Sequence, residues 1–139
     1  MALVLVFCLV SLATWDLADF PDFDVLRDED WSDTAILCHH TQFDGLILSH
    51  WLGVSPRMWL CTLSMARMLL GNHLSVSLDA VRQTYGLPPK TTPYQAFKGL
   101  HYNQMPPELQ ARLADGCCDE VESIWHIFGE LAKVFPTSE

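Results

Sequence analysis

Residues 34–71 read TAILCHHTQFDGLILSHWLGVSPRMWLCTLSMARMLLG. The run at 34–39 is apolar, short and bounded by polar residues, which suits a buried strand. From Gln42 the period changes. Phe43, Leu46, Ile47 and Trp51 recur at helical intervals and predict a shared face. Gly53 supplies a C-terminal stop. Residues 55–62 pass from a loop into a second short strand. Residues 62–71 are helical again, with Leu63, Ala66 and Leu70 on one side and Gly71 at the end. Strand and helix in alternation indicate an α/β fold whose helices cover a sheet.

Outward from this stretch, helix dominates on the C-terminal side. Residues 75–87 predict a helix capped by Ser75 or Ser77 and closed by Gly86. Residues 88–107 are loop-rich and carry repeated prolines. Pro107 suits the first turn of a helical region that runs to the FP pair at 135–136, with Gly116 as a break inside it. Upstream, MALVLVFCLVSLATW is apolar and uncharged. It lacks the positive start of a signal peptide and is shorter than the ~20 residues of a bilayer span. A buried strand through Leu3–Phe7 is the preferred reading. Between them, residues 16–33 are acidic and irregular and read as loop.

The chain has 139 residues, half of them apolar and 18% charged, enough for one domain with a core. The formal net charge of -9 argues against general nucleic-acid binding by charge alone. Any contact with nucleic acid needs a metal ion or a further domain to offset repulsion. Five cysteines, at 8, 38, 61, 117 and 118, contain no C-x-x-C, so neither a disulfide framework nor a zinc ribbon fits. No P-loop, G-x-G-x-x-G or serine-elbow motif is present.

Three places offer chemistry. Cys38, His39 and His40 are adjacent, so on a strand only Cys38 and His40 share a face. A zinc site would need Cys61 or Cys117 and Cys118 as well, and a plain strand end is the simpler reading. Asp44 lies where strand hands over to helix. That is the usual position for α/β active sites and is favoured by the helix dipole. The third place is CCDEVESIW, 117–125. Val121, Ile124, Phe128 and Leu131 predict a core stripe, and Glu120 shares its inward face. A carboxylate there is costly unless paired or metal-bound. Asp119 lies beside it. Carboxylates on adjoining elements could together hold Mg²⁺ or Mn²⁺.

The run from Cys38 to Leu87, with FDGLILSHWLGV and TLSMAR at its centre, resembles the 3′–5′ exonuclease domain of phage-type family A DNA polymerases. That family belongs to the DEDD superfamily and has a ribonuclease H-like fold. Its N-x-x-F-D, W-x-D-T-L-S-M-A-R and Y-G-L segments have counterparts here, and residues 113–131 resemble its third acidic motif. The resemblance spans about Ala35 to Pro136. It implies an α/β, ribonuclease H-like architecture: an incomplete mixed sheet flanked by helices, with a helix-rich C-terminal half. It divides the chain into a divergent segment 1–34, an exonuclease-like domain 35–136 and a tail 137–139.

By the same resemblance Asp44 is the metal-binding aspartate of the second motif, Phe43 its aromatic neighbour, and His40 stands in the place of the asparagine. Glu120 matches the third-motif aspartate, with Asp119 as a substitute. The implied activity is hydrolysis of DNA phosphodiester ends with Mg²⁺ or Mn²⁺, two ions in the family, as in proofreading during DNA replication. The implied partners are a single-stranded DNA 3′ end and a separately encoded polymerase domain. The setting is the cytoplasm of a bacterial or phage-infected cell, without membrane contact. Besides His40 and Glu120, the chain departs from the family at four further positions. Cys8 and Val10 fall where D-x-E belongs, Gly116 replaces a tyrosine and Cys61 replaces an aspartate. Asp16, Asp19, Asp22 or Asp24 would have to replace the missing acids, and the expected activity is weakened. The chain is thus expected to lack the family's first strands. The alternatives are a non-catalytic remnant serving as a nucleic-acid or protein interaction module, and a small secreted zinc protein.

Overall fold

Alternation of side chains along one strand organises the molecule. A computed structural model describes residues 2–6, 24–71, 73–92, 94–97 and 99–136. Strand β2, Thr34–Cys38, is the centre of a three-stranded parallel sheet. β1, Ala2–Val6, pairs on one side and β3, Met58–Cys61, on the other. Every β2 side chain from Ala35 to Cys38 is buried, as expected for a parallel strand covered on both faces. The described strands are all parallel, so the antiparallel part of the expected mixed sheet is not among them.

Ile36 and Cys38 face one layer, with Trp31, Leu48, Leu52 and Val54. Its helices are α1, Asp24–Asp28, and α2, Thr41–Leu52. Leu37 faces the opposite layer, with Ala66, Leu78, Val81, Ile124, Ile127 and Leu131. That layer contains α3, Thr62–Leu70, α4, Leu78–Thr84, and α5, Pro107–Val134. The α/β reading therefore stands, with helices on both faces of the sheet. A smaller cluster of Phe97, Met105 and Leu113 anchors the loop region onto α5. No helix among the described residues is long and apolar enough to cross a membrane.

Four expectations are corrected. Residues 24–28 are helical rather than irregular. Leu26 packs into the layer of Ile36 and Cys38, and its carbonyl accepts from Trp31 Nε1 at 2.8 Å. The face of α2 is rotated from the predicted one. Phe43, Leu46 and Trp51 are exposed, and Asp44, Gly45, Leu48 and Leu52 are buried. The reason is a close approach: a Cβ at Gly45 would stand 3.4 Å from the Trp59 ring and 3.3 Å from Thr41 Cγ2. The helix turns its smallest residue to the sheet. In α5, Val121 is only half-buried, and Ile127 occupies the stripe with Ile124 and Leu131.

Finally, Gly116 does not break α5, which runs 28 residues without interruption. The glycine serves tight packing instead. A Cβ there would lie 2.8 Å and 2.9 Å from Thr92 Cγ2 and Cβ. The loop at 91–92 thus packs directly against the helix at Gly116. Ser77, of the two candidates, is the cap of α4, accepting from the Ala80 amide at 3.3 Å.

Candidate active site at the end of the central strand

The C-terminal end of β2 is the natural site in a parallel sheet, because strand carbonyl ends and helix N-termini converge there. His40 occupies the N-cap position of α2, and Asp44 lies in its first turn. The Asp44 amide donates to the His40 carbonyl at 3.2 Å, and its side chain is buried, 8% exposed. His40 itself is exposed. Its ring stacks on Phe43, with centroids 6.5 Å apart and planes 17° from parallel. The two residues expected to bind substrate thus form one exposed aromatic surface beside a buried carboxylate.

Two carboxylates act on consecutive residues at this strand end. Burial first, and the charge of Asp44 second, push the Cys38 thiol up to about 12. Glu120, arriving from α5, bears on His39. Glu120 is buried, as its inward register predicts, and its Oε1 lies 2.6 Å from Lys90 Nζ. The contact is an ion pair without hydrogen-bond alignment. The cost of a buried carboxylate is met here by an ammonium from the loop after α4.

Asp119 points elsewhere. Its carboxylate accepts from both terminal guanidinium nitrogens of Arg82, at 2.6 Å and 3.3 Å. Arg82 is 1% exposed and also donates from Nε to the Pro88 carbonyl at 2.9 Å. This fork ties α4, the following loop and α5 together. Asp119 thus faces Arg82 and α4, while its neighbour Glu120 is turned inward. Among the described residues, no three His, Cys, Asp or Glu side chains gather into a group that could hold a metal ion. Cys8, Val10, Asp16, Asp19 and Asp22, where the first motif or its replacements would lie, fall outside the described residues, as does the side chain of Asp24.

His39, expected at a plain strand end, is held through both of its ring nitrogens. Its Nε2 faces the Val76 carbonyl and its Nδ1 the Thr62 hydroxyl, both at 2.9 Å. A carbonyl only accepts, so Nε2 carries the proton and Nδ1 accepts from Thr62. Burial lowers the ring's pKa from 6.5 to about 4, Lys90 and His40 adding to this against the Val76 hydrogen bond and Glu120. Unfolded chains bind this proton below pH 6.5 and the folded chain only near pH 4. Stability from this ring is therefore complete above pH 6.5 and is lost as pH falls towards 4. Urea titrations at pH 7 and pH 4.5 are expected to show wild type losing on the order of 2–3 kcal/mol more than His39→Asn over that interval. Parallel losses would show that the ring is not held neutral.

Sequence reasoning missed Lys90 and Arg82. Arg82 was detectable, since Leu78, Val81, Arg82 and Tyr85 share one helical face and a charge on that face needs a partner. Lys90 stands in a loop without periodicity, and nothing local marks it. No family model, curated protein or solved structure matches this chain.

Proposed function

We propose that the chain is a 3′–5′ exonuclease domain of the DNA-polymerase proofreading type, with weakened metal-dependent hydrolysis of DNA ends. The observation that carries this reading is a pair of buried carboxylates, Asp44 in the first turn of the helix that follows β2 and Glu120 on the inward face of α5. A three-stranded parallel sheet with helices on both faces is compatible with the ribonuclease H-like architecture that the resemblance implies.

The donor chemistry fits Mg²⁺ or Mn²⁺, which take carboxylate oxygen and complete their shells with water and phosphate. Two carboxylates suit one such ion; a two-ion set does not fit the described residues. Asp44 and Glu120 would hold the ion, which supplies charge neutralisation and an acidic water at the phosphodiester. The His40–Phe43 stack offers a surface on which a terminal base can lie, in the manner of single-strand binding sites. His39 stays neutral and fixed by two hydrogen bonds, so it orients the strand end rather than moving a proton.

The Lys90–Glu120 ion pair favours a second reading. An ammonium already neutralises the acid that would bind metal, which is what a non-catalytic remnant kept as an interaction module would retain. A 3′-labelled single-stranded oligonucleotide incubated with the protein and Mn²⁺ separates the two. Slow release of nucleoside monophosphates, abolished by EDTA and by Asp44→Ala, is expected. Complete absence of release from folded protein would favour the remnant.

A further inference from the structure

Cys38 and Cys61 end two neighbouring strands in register. They are Cα partners in the parallel β2–β3 ladder. Paired positions in such a ladder present their side chains on the same face. Ile36 and Cys38 on β2, and Trp59 on β3, pack into the α2 layer, and two residues beyond Trp59 brings Cys61 to that face. Neighbouring strands stand ~4.8 Å apart, inside the ~4.4–6.8 Å window of Cα separations that a disulfide spans. The Cys61 thiol also reaches towards β2, donating from Sγ to the carbonyl of His39, the residue after Cys38, at 3.6 Å. Both are free thiols.

The two sulfurs differ in access. Cys38 is fully buried. Cys61 is half-buried and lines a cleft of about 370 Å³ together with Thr41, Gly45, Trp59 and Ser64. Its position is the N-cap of α3, where the helix dipole favours a thiolate. Burial pushes its pKa up, but hydrogen bonds from Ser64 and Thr41 together outweigh this and leave it below the ordinary value.

We propose that Cys61 and Cys38 form a peroxide-responsive dithiol, in which Cys61 is oxidised first from the cleft and Cys38 then closes a disulfide between β3 and β2. In the first step the Cys61 sulfur attacks hydrogen peroxide. An S–O bond forms, the O–O bond breaks, and the departing hydroxide leaves as water with the thiol proton. In the second step the Cys38 sulfur attacks the Cys61 sulfenic acid. The S–S bond forms, the S–O bond breaks, and hydroxide again leaves as water with the Cys38 proton. Two thiols are oxidised by two electrons in all, and one peroxide is reduced to two waters. Cys38 is fully buried, so the second step is the slower, and the sulfenic acid accumulates long enough to be trapped.

The full chain, treated with a few equivalents of hydrogen peroxide, alkylated and mapped by mass spectrometry, tests this directly. The expected result is one Cys38–Cys61 cross-linked peptide, with Cys117 and Cys118 recovered as alkylated thiols. Dimedone added with the peroxide should label Cys61 and lower the yield of cross-link. Cys61→Ser should abolish both products while leaving the buried core intact, and Cys38→Ala should raise dimedone labelling at Cys61. Cross-links made mainly by Cys117 or Cys118, or a Cys61 that stays reduced while Cys118 is oxidised, would overturn the proposal.

Discussion

Asp119→Ala is expected to destabilise the protein by about 3 kcal/mol, the lower end of the cost of leaving a buried charge without its partner. The lower end applies because the Asp119 side chain is 48% exposed and water can reach the pair from that side. Arg82 has no such access. It is 1% exposed, and after the substitution the Pro88 carbonyl would be its remaining recorded acceptor. Asp119→Asn should cost less, since an amide oxygen still accepts one guanidinium hydrogen bond. Denaturant titrations of the three proteins measure the difference. The same variants separate two roles for this residue. A metal ligand would lose Mn²⁺ binding with little change in metal-free stability. A structural anchor loses stability in EDTA, which is the outcome expected here.

Lys90→Met is the second large effect. It removes the ammonium beside a carboxylate that is buried in the α5 layer, and a loss of about 2–3 kcal/mol is expected in EDTA. The estimate is discounted from a fully buried pair because the Lys90 side chain is 28% exposed. Adding Glu120→Gln should recover most of the loss, because the buried negative charge is then gone as well. A double variant as unstable as Lys90→Met alone would show that packing, not charge, causes the effect. Mn²⁺ should raise the midpoint of Lys90→Met more than that of wild type, by the ordinary linkage between binding and folding. Removing the lysine takes away the cation with which Mn²⁺ would compete at Glu120. If Mn²⁺ stabilises neither protein, Asp44 and Glu120 do not form a cation site.

Much of the architecture was legible because it is periodic. The apolar run at Thr34–Cys38 and the spacing of Leu63, Ala66 and Leu70 each imply one kind of element. Glu120 was found the same way, from its distance to Ile124. The α2 face was misread because hydrophobicity alone assigned it. Phe43, Leu46 and Trp51 are large apolar side chains, yet they lie outward. Close approach of Gly45 to Trp59 decides the rotation, and that contact joins residues on different elements. The same limit applies at Gly116. A glycine inside a helix costs about 1 kcal/mol relative to alanine and suggests a break. Only the Thr92 side chain lying against it explains why the helix continues.

Local order in the chain was sufficient to specify the strands, most of the helices and the inward register of Glu120. Each of these depends on residues within a few positions of one another, where backbone geometry dictates the neighbours. The identity of the counter-charges was decided by the tertiary fold alone. Lys90 reaches Glu120 across 30 positions and Arg82 reaches Asp119 across 37, through loops whose path no periodicity encodes. The pairing of Cys38 with Cys61 is of the same kind. It exists because two strands separated by a helix lie side by side, and register between strands is set by how their faces pack, not by the sequence of either one.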